Sequence, residues 1–215
     1  MKGNNQPLIV KPVSLSDQAY QIIKEAIITN RIKAGEILTE EQLASQLNIS
    51  RTPIRTALKQ LVLEHLAEVN ENKNVVVSNI TAEDVKNVCA VRKALEPLAV
   101  ELITDTSIEK KIKELRKTIT AQKAAKTHEE FLNEEYNFHM GIASMAKNGF
   151  LYDMIDRTNI VIKRYLVLSG TLDKHSNEAL NEHEAIVECL EKKDFIAAGN
   201  SLKQHLENVE ARMFL

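Results

Sequence analysis

From Thr81 to the C-terminus the apolar residues recur at helical spacing, interrupted only near residues 105–107, 126–128, 147–149, 169–173 and 192–194. Breaks this short leave room for turns but not for strands. The stretch therefore reads as an antiparallel bundle of about six helices, opened by Thr81 with Asp84 three residues on. The whole chain carries six glycines and four prolines in 215 residues, too few for a fold built on many hairpins. A hydrophobic content of 44% excludes a disordered chain. No apolar run approaches the length of a membrane span, and residues 1–13 lack the apolar core of a signal peptide. Those residues read as a flexible leader, and the expected compartment is the cytoplasm. Cys89 and Cys189 lie 100 residues apart in bland surroundings, which favours reduced thiols over a disulfide.

Before residue 80 the texture differs. A helix with Ala19, Ile22, Ile23, Ala26 and Ile27 on one face begins at Ser14 or Ser16 and ends near Asn30; residues 33–36 then turn the chain. Thr39 and Gln42 predict a capping box for a short helix reaching Leu47. Ser50 is placed to cap a third helix, with Pro53 in its first turn, running to about His65. Strands are predicted at 67–70 and 75–77 around a polar hairpin at 71–74. Helix, turn, longer helix and hairpin in that order make a winged helix-turn-helix. The predicted division is a leader at 1–13, this domain at 14–79 and the all-helical domain at 80–215.

The third helix has the chemistry of a DNA reader. At about 100° per residue, Arg51, Thr52, Arg55 and Lys59 share an arc of roughly 100°. Ile54, Ala57, Leu58 and Leu61 form an apolar back that can pack on the first two helices. Such a helix suits the major groove, where arginine pairs bidentately with guanine. Net charge alone carries no such message: residues 1–80 hold nine basic and eight acidic side chains, and the chain as a whole is at −2.

The blocks Ala34-Gly35-Glu36-Ile37-Leu38, Glu41-Gln42-Leu43-Ala44 and Ser50-Arg51-Thr52-Pro53-Ile54-Arg55-Thr56-Ala57-Leu58 resemble the N-terminal domain of the GntR regulators. The resemblance implies DNA contacts at Arg51, Thr52 and Arg55 and a further one from the wing, where Lys73 is the candidate. This chain departs from the family pattern at His65, where a glycine is usual. It departs again at Asn72-Lys73-Asn74, where the wing tip usually has a glycine and an asparagine is expected to take the left-handed turn.

Three histidines stand out in the helical part. Glu135 and His139 lie four apart on one helix face, and His183 and His205 sit 11 residues either side of a turn near 194. They can converge on a divalent ion, although each taken singly is an ordinary core or surface residue. Val91-Arg92-Lys93-Ala94-Leu95-Glu96, the stretch 135–139, Glu182-His183-Glu184-Ala185-Ile186 and the stretch 193–198 resemble the FCD effector domain of the FadR-type branch of that family. The resemblance implies metal ligands at His139, His183 and His205, with Glu135 in place of the usual aspartate, and zinc or nickel as the ion. It also implies a small carboxylic-acid effector met by Arg92. The resulting expectation is a homodimeric regulator, read as a repressor, that binds double-stranded operator DNA, has no membrane partner and is not an enzyme. A purely structural metal and a mononuclear metalloenzyme remain as alternatives, the latter with no residue clearly placed as general base.

Overall fold

Ser14 accepts a hydrogen bond from the backbone N–H of Asp17 at 3.1 Å and so opens α1 (Leu15–Ile28). Ala19, Tyr20, Ile23 and Ile27 form its buried stripe. The computed structural model describes residues 13–104, 107–170 and 176–214. The expected leader, apart from Val13, and parts of the breaks expected at 105–107 and 169–173 lie outside the described residues. The chain divides into two units, Met1–Ile27 with Arg31–Asn79 and Ile28–Asn30 with Ile80–Leu215.

In the first unit α2 (Glu40–Leu47) and α3 (Arg51–Leu63) pack together. Their starts differ from expectation in two details. Thr39 accepts from the Gln42 N–H at 3.3 Å, but the Gln42 side chain bonds the Thr39 hydroxyl, so only half of the capping box forms. Ser50 occupies the N-cap position in extended backbone without a side-chain capping bond. The early N–H groups of a helix lack intrahelical partners anyway, so Pro53 costs this turn nothing. Ile54, Ala57, Leu58 and Leu61 are all buried, the apolar back read from the spacing.

β1 (Ala67–Val69) and β2 (Val75–Val77) pair antiparallel, with Glu68 opposite Val76. The segment expected only as a turn also joins them. Gly35 N–H donates to Val77 O at 2.9 Å, Leu38 N–H donates to Val75 O at 2.8 Å, and Ile37 bridges to Val76. Gly35 enters this rung at φ +81°, a conformation open to glycine at no steric cost.

The second unit contains α4 (Ala82–Glu101), α5 (Glu109–Ala124), α6 (His128–Met145), α7 (Gly149–Ser169), α8 (Ser176–Glu191) and α9 (Phe195–Met213). Reciprocal capping boxes, Thr81 with Asp84 and Thr127 with Glu130, start α4 and α6. α4 packs on α6, α7 and α9, α5 on α6 and α8, and α8 on α9. Their shared core includes Val85, Leu115, Phe138, Ile142, Ile186, Leu190 and Leu202. A Cβ at Gly141 would stand 2.7 Å from Leu115 Cδ2, so glycine is what lets α6 approach α5 there. Among the described residues no helix is long and apolar enough to cross a membrane.

Candidate functional site

α6 carries Glu135 and His139 one turn apart, facing His183 of α8 and His205 of α9; all four are buried. Glu135 Oε1 lies 3.3 Å from His139 Nε2, 3.6 Å from His183 Nε2 and 3.8 Å from His205 Nε2. The Nε2 atoms of His183 and His205 are 3.3 Å apart, and those of His205 and His139 are 3.4 Å apart. Ligands about 2.0–2.1 Å from a tetrahedral ion stand about 3.3–3.4 Å from one another, so the spacing suits a small divalent cation.

The surrounding hydrogen bonds decide which ring nitrogens face inward. His139 Nδ1 lies 2.6 Å from Glu96 Oε2, and His205 Nδ1 lies 2.7 Å from Glu182 Oε2. A carboxylate only accepts, so both Nδ1 atoms carry the proton. Gln122 Nε2 donates to Glu135 Oε2 at 2.9 Å, which turns its Oε1 toward His183 Nδ1 at 3.1 Å. His183 therefore also donates through Nδ1. Three Nε2 lone pairs and a carboxylate oxygen are left pointing at one another with no proton between them. A bound cation relieves that repulsion, and partners on the far ring nitrogens orient histidine ligands in this way. The donor set fits a metal.

The electrostatics keep Glu135 and His205 in their ligating forms and set a proton against the metal at His139. Burial opposes charge on Glu135, but His183 and His139 hold its carboxyl well below the usual range. Burial likewise works against Glu96, and Arg92 and His139 more than offset it. Glu182 is carried down to about 2, against its burial, by bonds from His205, Arg212 and Asn208. Burial takes His205 down to about 4 despite its bond to Glu182. Burial also disfavours charge on His139, yet Glu96 and Glu135 outweigh it and raise its affinity for a proton. A proton on His139 and a metal ion are thus competing ways to supply positive charge here.

A small cavity of about 10 Å³, room for about one water molecule, reaches Glu135 and is lined also by Arg92, Tyr136, Asn159 and Lys163 together with apolar side chains. Arg92 is buried, and its described hydrogen bonds engage only Nε, 2.6 Å from Glu96 Oε1. Asn159 Nδ2 donates to the same oxygen at 3.1 Å. The sequence reading missed Glu96, Gln122, Asn159 and Glu182 as supports. Only Glu96 carried a local signal, four residues after Arg92 on the same helix face.

In the first unit Arg51, Thr52, Arg55 and Lys59 are exposed along α3, and Lys73 is exposed at the wing tip. Both arginines are paired with α2. Arg55 donates through Nε and Nη2 to the two oxygens of Glu40, both at 2.7 Å, and Arg51 Nη2 lies 3.0 Å from Glu41. The hydrogen bond from Arg55 holds the Glu40 carboxyl below its usual value.

Comparison with known proteins places both units. Residues 15–77 match the family of bacterial regulatory proteins of gntR type, and residues 87–208 match the FCD domain. An uncharacterized helix-turn-helix transcriptional regulator of Bacillus subtilis, YdhC, is 30% identical over 91% of this chain and 88% of its own length. The chain belongs to the GntR family. The gluconate operon transcriptional repressor of Bacillus subtilis is 26% identical over 91% of this chain and 83% of that protein. Two solved structures share the fold. Escherichia coli McbR/YncC has a TM-score of 0.81 at 22% identity, covering 94% of this chain and 98% of its own. A GntR-type regulator from Rhodococcus sp. RHA1 has a TM-score of 0.79 at 23% identity, covering 93% and 97%.

This GntR regulator is therefore a DNA-binding transcription regulator, and its family is not one of enzymes. The departures at His65 and in the wing are resolved by backbone geometry. His65 adopts φ +59°, the left-handed conformation that a glycine takes most easily. At the wing tip the left-handed residue is Lys73, at φ +60°, and not an asparagine as expected. Asn70 instead closes the turn: its backbone oxygen accepts from Lys73 N–H at 2.9 Å and its Oδ1 accepts from Asn74 N–H at 3.0 Å.

Proposed function

We propose that this GntR regulator is a homodimeric operator-binding repressor whose affinity for DNA responds to a small carboxylic acid. The acid enters at the small cavity beside a divalent ion held by Glu135, His139, His183 and His205, which side-chain movement widens to admit it. The observation that carries the sensing half is the tautomer lock: three Nδ1–H groups tied down, so that three lone pairs and one carboxylate converge. Neutral imidazoles with one carboxylate suit zinc or nickel. When bound, the ion supplies a concentrated positive charge at one wall of the cavity. Arg92 supplies donors at another, since its described bonds leave the Nη groups to a ligand. A relative named for a gluconate operon supports a carboxylate as the effector class. DNA is read by Arg51, Thr52, Arg55 and Lys59 in the major groove, with Lys73 on the backbone or minor groove.

A structural clamp is the second reading, favoured by one fact: four buried donors already complete a tetrahedral shell. Titration of the protein against DNA from its own upstream region, followed by fluorescence anisotropy, separates the two. In the sensing case candidate acids shift operator affinity on the order of 5–150-fold, and chelation removes the shift while the helices persist. In the clamp case chelation melts the second unit and no acid has an effect. A protein purified without metal, and insensitive to every acid when supplied with zinc or nickel, would sink the sensing proposal.

A further inference from the structure

α3 has a second face, shared with the wing. Arg55, Leu58, Lys59, Val62 and Leu63 stand at i, i+3, i+4, i+7 and i+8, so they occupy one side of the helix within an arc of about 140°. Val69 of β1 lies directly opposite Val75 of β2, and their side chains therefore leave the same face of the hairpin. All seven line a cavity of about 710 Å³ between helix and hairpin, which Leu38 and Lys73 of the wing tip help to enclose. A space of that size is ordinary for a small-molecule site, and it dwarfs the cavity of about 10 Å³ at Glu135. Leu63 and Val69 line it while remaining 74% and 57% exposed.

We propose that this groove binds a free aliphatic carboxylate of medium chain length, its tail on the apolar floor and its head group on Lys59 and Lys73. The walls select the tail. Leucine, isoleucine and valine supply the apolar lining and no aromatic ring does among the described residues, which suits a flexible alkyl chain better than a flat ring. The rim selects the head group. Three cations, Arg55, Lys59 and Lys73, share it with the carboxylate of Glu40, whose two oxygens Arg55 already engages at 2.7 Å. Lys59 and Lys73 make no hydrogen bond or ion pair among the described residues, so their ammonium groups are left to an anion. A neutral chain would leave them unused, and a short polar acid would leave the floor wet. The groove belongs wholly to the first unit and is distinct from the donors around His139. Because Arg55, Lys59 and Lys73 are also the side chains assigned to DNA, a filled groove and a bound operator exclude one another. That consequence rests on the reading of α3 as the DNA-binding helix; the site itself does not.

The test titrates full-length, metal-loaded protein calorimetrically with octanoate, decanoate and dodecanoate, each below its micelle-forming concentration. The expected result is one saturable site per chain that tightens on the order of tenfold for each added pair of methylenes. Lys59→Gln with Lys73→Gln should weaken decanoate about tenfold. Leu63→Ser with Val69→Ser alters two exposed side chains outside the DNA-contacting set; decanoate binding should fall at least about tenfold while operator affinity holds. Leu63→Trp gives this tryptophan-free chain a single indole, whose emission should shift to the blue when decanoate is added. In anisotropy titrations, decanoate at ten times its dissociation constant should weaken operator binding about tenfold. If the serine variant loses its helical signal, the indole decides. Heats that do not saturate, an affinity indifferent to chain length, a folded serine variant that binds as wild type, or a silent indole each overturns the site. Decanoate that binds in the groove and leaves operator affinity untouched keeps the site and overturns the assignment of Arg55, Lys59 and Lys73 to DNA.

Discussion

The two candidate sites are built on opposite principles. On α3 the cations stand in water, each arginine leaning on a glutamate of α2. Around His139 the charges are buried, and every donor atom has a second partner behind it. Exposed ion pairs are weak and exchange readily, so Glu40 and Glu41 can yield to phosphates or base edges. A buried pair cannot be broken without stranding a charge, so Glu96, Gln122 and Glu182 hold their imidazoles in one pose. The lesson is that a surface proposed to meet a large polyanion can leave its side chains adaptable, while four atoms proposed to hold one ion need a rigid support.

Mutations should expose this asymmetry, strongest first. His139→Ala with His183→Ala should reduce bound metal from about one ion per chain to none, read by elemental analysis, because two donors of the same shell are lost. Arg51→Ala with Arg55→Ala should weaken operator binding at least about 100-fold in anisotropy titrations while metal content and melting temperature stay put. A fall in metal content there would break the separation of the two sites. Glu96→Gln keeps an acceptor for His139 but loses the charge; metal affinity should drop about 10–100-fold in a chelator competition. Glu40→Gln, the same change on the exposed side, should leave melting unaltered and make DNA binding a few-fold tighter, since it removes a competitor for Arg55. The smallest effect concerns the thiols. Burial pushes Cys89 up to about 11, so at neutral pH it stays protonated and should be alkylated well after the half-buried Cys189, as peptide mass spectrometry would record.

Much of this was legible because helical periodicity is local. The apolar back of α3, the start of α4 and the one-turn spacing of Glu135 and His139 all follow from which residues stand three or four positions apart. Placing His183 and His205 at one height needed only the turn between their helices, and the 3.3 Å between them bears out that geometry. The sequence misled where two solutions compete locally. Gln42 had either a backbone N–H or a hydroxyl to bond, and the wing tip had three residues able to take a left-handed angle. The rung from Gly35 to Leu38 was invisible because its partner strand lies some 40 residues on.

By itself, then, the sequence determined the order of elements, the exposed basic face of α3 and the identities of four converging side chains, since each depends on residue type and short-range spacing. Tertiary structure alone decided which nitrogens of those histidines face inward, because Glu96, Gln122 and Glu182 reach them from 43, 61 and 23 positions away in the chain. It also decided that Arg92 lies buried against Glu96 beside a small cavity. Those facts depend on which helices lie next to each other, and no periodicity within one helix encodes its neighbours.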